Sequence, residues 1–176
     1  LVAGATLMGG VIANGHATSN GKAFMQNLSG IRTTVRGAGT SAEFTFDAVA
    51  ANSNTLDGFD LTGDTGANLA VDLTNGVSAI ANMANGVDFL GDGAATTVAL
   101  TSTTGGNTFL GNTQNGVRVQ LNNAVTASDV TVKGSSTMNM GNGIVVADDG
   151  SGVTINNLQV TGNAQLNNNQ GSGLII

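Results

Sequence analysis

Apolar and polar residues alternate in short rows along the second half of the chain, and the rows repeat. Gly86-Val87-Asp88-Phe89-Leu90 is followed 30 residues on by Gly116-Val117-Arg118-Val119-Gln120-Leu121. Gly143-Ile144-Val145-Val146-Ala147 comes 27 further, and Gly173-Leu174-Ile175-Ile176 another 30. Three rows open on Asn-Gly (Asn85, Asn115, Asn142) and the fourth on Ser172-Gly173. Each is strand-length, bounded by glycine and rich in Val, Ile and Leu. Self-similarity at a period of roughly 20–50 residues marks a repeat architecture. Because successive strand side chains point to opposite faces, Val117, Val119 and Leu121 are expected inside and Arg118 and Gln120 outside. Ile144 and Val146, then Leu174 and Ile176, fall in the same inward register.

Two further strand-like sets lie inside each period. One is Thr97-Val98-Ala99-Leu100, Asp129-Val130-Thr131-Val132 and Asn157-Leu158-Gln159-Val160. The other, weaker set is Thr108-Phe109-Leu110-Gly111, Thr137-Met138-Asn139-Met140 and Ala164-Gln165-Leu166-Asn167. Three short strands per repeat predict an all-β fold: a right-handed, three-faced parallel β-helix of four to five coils, each of 27–30 residues. Residues 1–176 then form a single β-helix domain. Inward aliphatic columns dominate its stability, and aligned Asn and Thr add hydrogen-bonded ladders at the corners.

The first half is less regular. Residues 1–42 are expected to be an irregular first coil, with a strand or two over residues 6–13, turns at Asn14-Gly15 and Asn20-Gly21, and a strand over residues 31–36. Glu43-Phe44-Thr45-Phe46-Asp47 is aligned with the Gly86 row, and residues 54–63 with residues 153–162. Leu69-Ala70-Val71-Asp72-Leu73 supplies the third face. An insertion at residues 75–84 then absorbs the excess length. Its Val77, Ile80 and Met83 recur every three residues, which fits an inserted loop or short helix. The Asn-Gly pairs, including Asn75-Gly76, are read as corners that need positive φ.

Composition agrees with a turning, packed chain rather than an average enzyme. There are 27 Gly, no Pro, Cys, Trp or Tyr, and only 9% charged residues, against about 25% in ordinary chains. The hydrophobic share of 40% is regularly spaced, which argues for a core rather than disorder. A net charge of −6 with five Lys plus Arg speaks against nucleic acid and anionic membrane surfaces as partners. No run reaches the ~18 apolar residues of a membrane span.

At Val35-Arg36-Gly37-Ala38-Gly39-Thr40-Ser41 and Asn54-Thr55-Leu56-Asp57-Gly58-Phe59-Asp60-Leu61-Thr62-Gly63 the chain resembles right-handed β-helices of the pectin-lyase-like superfamily. Its Asn/Thr/Gly-rich, Cys-free composition is similar to bacterial autotransporter and adhesin-type surface passengers. The resemblance implies export, a surface location and an adhesive or structural role, and in other branches polysaccharide cleavage.

Candidate chemistry is sparse. Cleavage of polysaccharides needs clustered carboxylates, with Ca²⁺ and a basic residue for lyases or two acids for hydrolases. Asp88 and Arg118, outward and one coil apart, are expected to form a surface ion pair worth about 0–1 kcal/mol. Asp57 and Asp60 flank Gly58-Phe59, with Asp57 facing a corner. Asp92, Asn122, Asn123, Asp148 and Asp149 share another corner, where stacked oxygens could hold Ca²⁺. His16 is read as a solvated loop residue with no partners for a triad or a metal, and Lys22 and Lys133 as isolated. Thr101-Ser102-Thr103-Thr104 hints at a flat Thr surface that its neighbours do not repeat. No catalytic, cofactor-binding or metal residue is assigned.

The expected role is a non-enzymatic extracellular structural or adhesive β-solenoid, a surface passenger or a head-to-tail stacking filament subunit. The chain starts and stops in strand-like text, as a processed or excised piece of something longer would. Its open coil ends (Leu1, Val2, Leu174, Ile175, Ile176) would meet more coils or another copy. The alternative is a polysaccharide-active or glycan-binding β-helix domain.

Overall fold

A computed structural model describes residues 15–20, 23–102, 106–161 and 165–176, with side chains from Phe24 onward. Leu1, Val2, the strand expected over residues 6–13, Asn14, Gly21, Lys22, Thr103, Thr104 and Ala164 lie outside the described residues. The chain is an all-β parallel solenoid of three sheets, and the described residues contain no helix.

Strands rotate through the sheets in strict order. The first coil is β1 (Gly15–Asn20), β2 (Ala23–Met25) and β3 (Ile31–Arg36). The second is β4 (Ser41–Asp47), β5 (Ala50–Asn52) and β6 (Phe59–Asp64). The third is β7 (Asn68–Thr74), β8 (Ser78–Ile80) and β9 (Val87–Asp92). The fourth is β10 (Thr97–Ser102), β11 (Thr108–Leu110) and β12 (Val117–Asn122). The fifth is β13 (Thr126–Val132), β14 (Ser135–Thr137) and β15 (Ile144–Asp148). A partial sixth holds β16 (Thr154–Ile155), β17 (Leu158–Val160) and β18 (Leu174–Ile175). The first sheet stacks β1, β4, β7, β10 and β13, then β16 and β17; the second stacks β2, β5, β8, β11 and β14; the third stacks β3, β6, β9, β12, β15 and β18.

Apolar files run along the axis inside the tube. Ile31, Phe59, Val87, Val117, Ile144 and Leu174 are successive partners in the third sheet, and all but Leu174 are buried. Facing them, Phe44, Val71, Leu100 and Val130 form a file of the first sheet. The Phe46 ring sits 5.3 Å from Phe59 and joins the two sheets. Each fully buried side chain of this size stabilises by about 1.5–3 kcal/mol. The expected file of Val117, Ile144 and Leu174 is therefore present, with the expected outward Arg118 and Gln120 half-buried.

The first half is more regular than its sequence suggests. Strands β1, β2 and β3 already form a coil, with β1 against β4, β2 against β5 and β3 against β6. Residues 75–84 hold neither an insertion nor a helix. They carry β8, paired with β11 and β5. The spacing of three misleads because Val77 points in while Met83 is exposed. Glu43 belongs to β4 in the first sheet, not to the Gly86 row; the earlier members of that row are β3 and β6. Leu69–Leu73 likewise lies in the first sheet. Residues 54–63 do not align with residues 153–162, since Phe59–Asp64 is third sheet whereas β16 and β17 extend β13 in the first. In the weak set, Leu110 rather than Thr108 faces Thr137.

Two amide ladders bind the corner between the second and third sheets. Buried Asn54, Asn82, Asn112 and Asn139 lead to Asn169, and each donates its Nδ2 to the Oδ1 of the next, at 2.9, 3.0, 3.1 and 2.9 Å. Each acceptor Oδ1 also takes the backbone N–H of the residue whose Nδ2 it binds. The outer ladder runs the other way: Asn85 donates to Asp57, Asn115 to Asn85 and Asn142 to Asn115, at 3.0, 2.9 and 3.0 Å. Among the described residues every buried side-chain nitrogen or oxygen has a partner.

Between the ladders sit Gly58, Gly86, Gly116 and Gly143. Neither they nor Asn85, Asn115 and Asn142 take positive φ, which corrects the corner reading of these Asn-Gly pairs. The glycines are there for space: a Cβ on Gly58 would lie 2.6 Å from the Gly86 carbonyl oxygen. Asn75-Gly76 does match the expectation, with φ of 53 and 88. At the corner itself, the left-handed residue is the one before each ladder Asn: Ser53, Ala81, Gly111, Met138 and Asn168.

Candidate functional site

The outer face of the third sheet brings charges together. Its strands alternate inward and outward side chains, so residues at one outward position stack along the axis: Arg32, Asp60, Asp88 and Arg118. Arg32 Nε lies 3.0 Å from Asp60 Oδ2, and Arg118 Nη1 lies 3.2 Å from Asp88 Oδ1. The expected Asp88–Arg118 ion pair is present. Asp60 sits next to Asp88 in the file, and Asp57 joins them electrostatically from the corner. Asp57 Oδ1 is held by the Asn85 backbone N–H (2.8 Å) and Nδ2 (3.0 Å).

This packing perturbs the acids. Burial pushes the Asp88 carboxyl up to about 6; Arg118 pulls it down, while Asp57 and Asp60 push it further up. Burial also raises Asp60, against the pull of Arg32 and with a push from Asp57. Asp88 can thus hold a proton in mildly acidic solution while flanked by a carboxylate and a guanidinium. A group with that titration can donate or accept a proton near neutral pH.

A pH dependence of stability follows. The folded pKa of Asp88 lies above its ordinary value of 3.8. The folded state therefore holds this proton more tightly, and the stabilisation is full below 3.8 and lost as pH rises through about 6. At about 1.4 kcal/mol per pKa unit, and with the group partly solvated, the change is about 2 kcal/mol. Asp88→Asn is expected to flatten urea-unfolding stability between pH 4 and pH 7 and to raise it at pH 7.5 by about 1–2 kcal/mol. Parallel profiles for the two proteins would show that Asp88 is not the titrating group.

The remaining candidates settle into structural roles. At the corner after the third sheet, Asn123 Nδ2 donates to Asp92 Oδ1 (2.7 Å) and its backbone N–H to Asp149 Oδ2 (3.0 Å). Asp149 is lowered, first by the backbone N–H of Ser151, and Asp148 accepts from the Gly150 N–H. Asn122 lies in register with Asp92. Among the described residues no three His, Asp or Glu side chains stand close enough to hold a metal ion. Arg36 pairs with Asp64 at 2.6 Å in the same corner file. His16 lies not in a loop but in β1, in register with Glu43. Thr101 donates to Asp72, and Ser102 is buried and donates to the Lys133 carbonyl at 2.6 Å, so neither belongs to a bare Thr plane.

Sequence reasoning missed the Asp60–Asp88 adjacency because it did not place Gly58-Phe59 in the Gly86 row. The signal was available: Asn54-x-x-Asp57-Gly58, Asn82-x-x-Asn85-Gly86, Asn112-x-x-Asn115-Gly116 and Asn139-x-x-Asn142-Gly143 are one motif. Read from the first Asn, it aligns every coil from the second onward. Comparison of the chain with protein-family models, with curated proteins and with solved structures returned no match.

Proposed function

We propose that this chain is a non-enzymatic extracellular structural or adhesive β-solenoid, a surface passenger or a filament subunit that stacks head to tail. The observation that carries the reading is the self-similar cross-section, in which the same inward files and amide ladder recur coil on coil. At β18, Leu174 is 37% exposed although Ile144 below it in the file is buried, and Ile175, 40% exposed, continues the outward file of Arg118 and Val145. A further coil laid there, from a continuing chain or a second copy, would extend the apolar files by one layer and pair the free edge. The resemblance to pectin-lyase-like β-helices and to Cys-free surface passengers supports the extracellular placement.

Electron micrographs of the purified chain test the stacking form. Rods or fibres lengthening along the coil axis are expected, and Ile175→Glu with Ile176→Glu is expected to shorten them to isolated particles. Monodisperse monomers of the unaltered chain at high concentration would count against stacking.

A second reading, a polysaccharide-active or glycan-binding domain, is favoured by one observation: Asp60 and Asp88 stack on one face with Asp57 at its corner, and Asp88 is pushed up to about 6. That value suits a general acid. Turnover of acidic or neutral polysaccharides, with or without Ca²⁺, that is abolished by Asp88→Ala or Arg118→Ala would establish it.

A further inference from the structure

The face built on β2, β5, β8, β11 and β14, with the corner that follows each strand, differs from the other two. It carries no charged side chain: residues 24–28, 50–56, 78–84, 108–114 and 135–141 contain no Asp, Glu, Lys, Arg or His. It also presents large apolar side chains to solvent: Met25 (52% exposed), Leu28, Leu56, Met83 (63%), Met138 and Met140 (54%). Four of the five methionines of the chain are among them. An exposed apolar surface of this extent marks an interaction site more often than chance.

We propose that this face docks a second copy of the chain, side by side, with the solenoid axes antiparallel. Two observations select this occupant. The first is charge. The chain carries −6 overall, and the charges of the described residues lie along the other two faces and their corners, as at Asp60 and Asp88 on the third sheet and Glu43, Asp72 and Asp129 on the first. Two copies that meet through the second sheet keep those like-charged faces apart.

The second is shape. Backbone hydrogen bonds from Met83 to Asn54, from Thr113 to Asn82 and from Met140 to Asn112 place Thr55, Met83, Thr113 and Met140 in one outward file. Large and small side chains alternate along it, one per coil. A two-fold axis passing between Met83 and Thr113 pairs Thr55 with Met140 and Met83 with Thr113, so each thioether meets a threonine notch, which is the self-complementarity an isologous contact requires. Methionine adapts to such a notch through its flexible, polarisable chain.

The area sets the strength. Five coils about 4.8 Å apart and a band about 20 Å wide give on the order of 500 Å² per copy. Stable dimers bury about 800 Å² per partner, so this pair is a weak, concentration-dependent one.

The test is sedimentation velocity of the full chain from about 1 to 200 µM, a span suited to weak pairs. A monomer–dimer equilibrium insensitive to salt is expected. Met83→Asp with Met140→Asp, both at solvent-exposed positions, should leave the circular dichroism unchanged and weaken the dimer at least tenfold. Thr113→Trp adds apolar area but fills the notch. It too should weaken pairing, whereas nonspecific hydrophobic attraction would strengthen it. Ile176→Glu, which blocks axial stacking, should leave the lateral dimer intact, so failure of end-to-end assembly and failure of this pairing read out separately. A chain monomeric throughout, a dimer untouched by the double aspartate variant, tighter pairing in Thr113→Trp, or a monomer that binds neutral lipid vesicles through this face would each overturn the proposal.

Discussion

Replacing Asn112 by leucine is expected to cost about 3–5 kcal/mol of unfolding free energy, although the two side chains are close in size. Asn112 Oδ1 accepts from the Asn82 backbone N–H and from Asn82 Nδ2, each at 3.0 Å, and Asn112 Nδ2 donates to the Ala79 carbonyl at 3.0 Å and to Asn139 Oδ1 at 3.1 Å. Leucine fills the space and removes all four bonds. The buried Asn82 N–H loses its acceptor and the Ala79 carbonyl its ladder donor; Asn82 Nδ2 keeps the Ala51 carbonyl, and Asn139 Oδ1 keeps the Asn112 N–H. Each buried polar group left without a partner costs about 1–3 kcal/mol. Against a total stability of about 5–15 kcal/mol, one substitution would bring the fold close to its limit. Urea unfolding measures the effect. The neighbouring exposed Gln114→Leu should stay within about 0.5 kcal/mol. If Asn112→Leu unfolds at nearly the same urea concentration as the unaltered chain, the ladder is decoration.

Adding a single methyl group at Gly86 should be comparably damaging. A Cβ there would stand 2.5 Å from the Gly116 carbonyl oxygen of the next coil and 2.8 Å from Asn112 Nδ2. Neither neighbour is the free end of a flexible side chain. The oxygen belongs to backbone that receives the Val87 N–H at 3.0 Å, and the amide belongs to the ladder. Relief requires the coils to separate at this corner, so Gly86→Ala is expected to lose at least about 3 kcal/mol, or about 10 °C in thermal midpoint for a chain of this size. Gly111→Ala is the control. Its Cβ would meet nothing within 4 Å, and only its φ of +63 opposes the change, at about 1–2 kcal/mol. Equal midpoints for the two variants would remove close approach as the reason for the glycine.

The two substitutions probe different halves of one motif, and they mark where sequence reading stopped. The Asn-Gly pairs were legible as repeating landmarks, but their reason was not. Positive φ is the usual ground for Asn-Gly and holds at Asn75-Gly76. At Asn85-Gly86 the same dipeptide serves an amide ladder and a carbonyl one coil away. A contact with the next coil leaves no local trace in composition.

Face assignment failed for a related reason. Strands β4 and β6 both alternate buried with less buried residues, so pattern alone cannot tell which sheet either joins. Only the partner decides. The second sheet was only weakly legible, because its strands are three residues long and three of the five turn small Ala51, Ala79 and Ser136 inward. Of the candidate site, the Asp88–Arg118 pair was readable from the row spacing of 30. Asp60 was missed because its row opens on Asp57-Gly58 rather than Asn-Gly, and only the longer motif that starts at Asn54 brings it into line.

What the sequence determined by itself was the coil: its length, its parallel strands, and the inward files of Val117, Ile144 and Leu174. Those follow from alternation within a strand and recurrence between strands, and both are written along the chain. The tertiary structure alone decided which strand stacks on which face, the antiparallel sense of the two amide ladders, and the burial that lifts Asp88. Each of these depends on groups about 27–30 residues apart coming within hydrogen-bond distance. That proximity comes from the closure of the coil, and no local pattern records it.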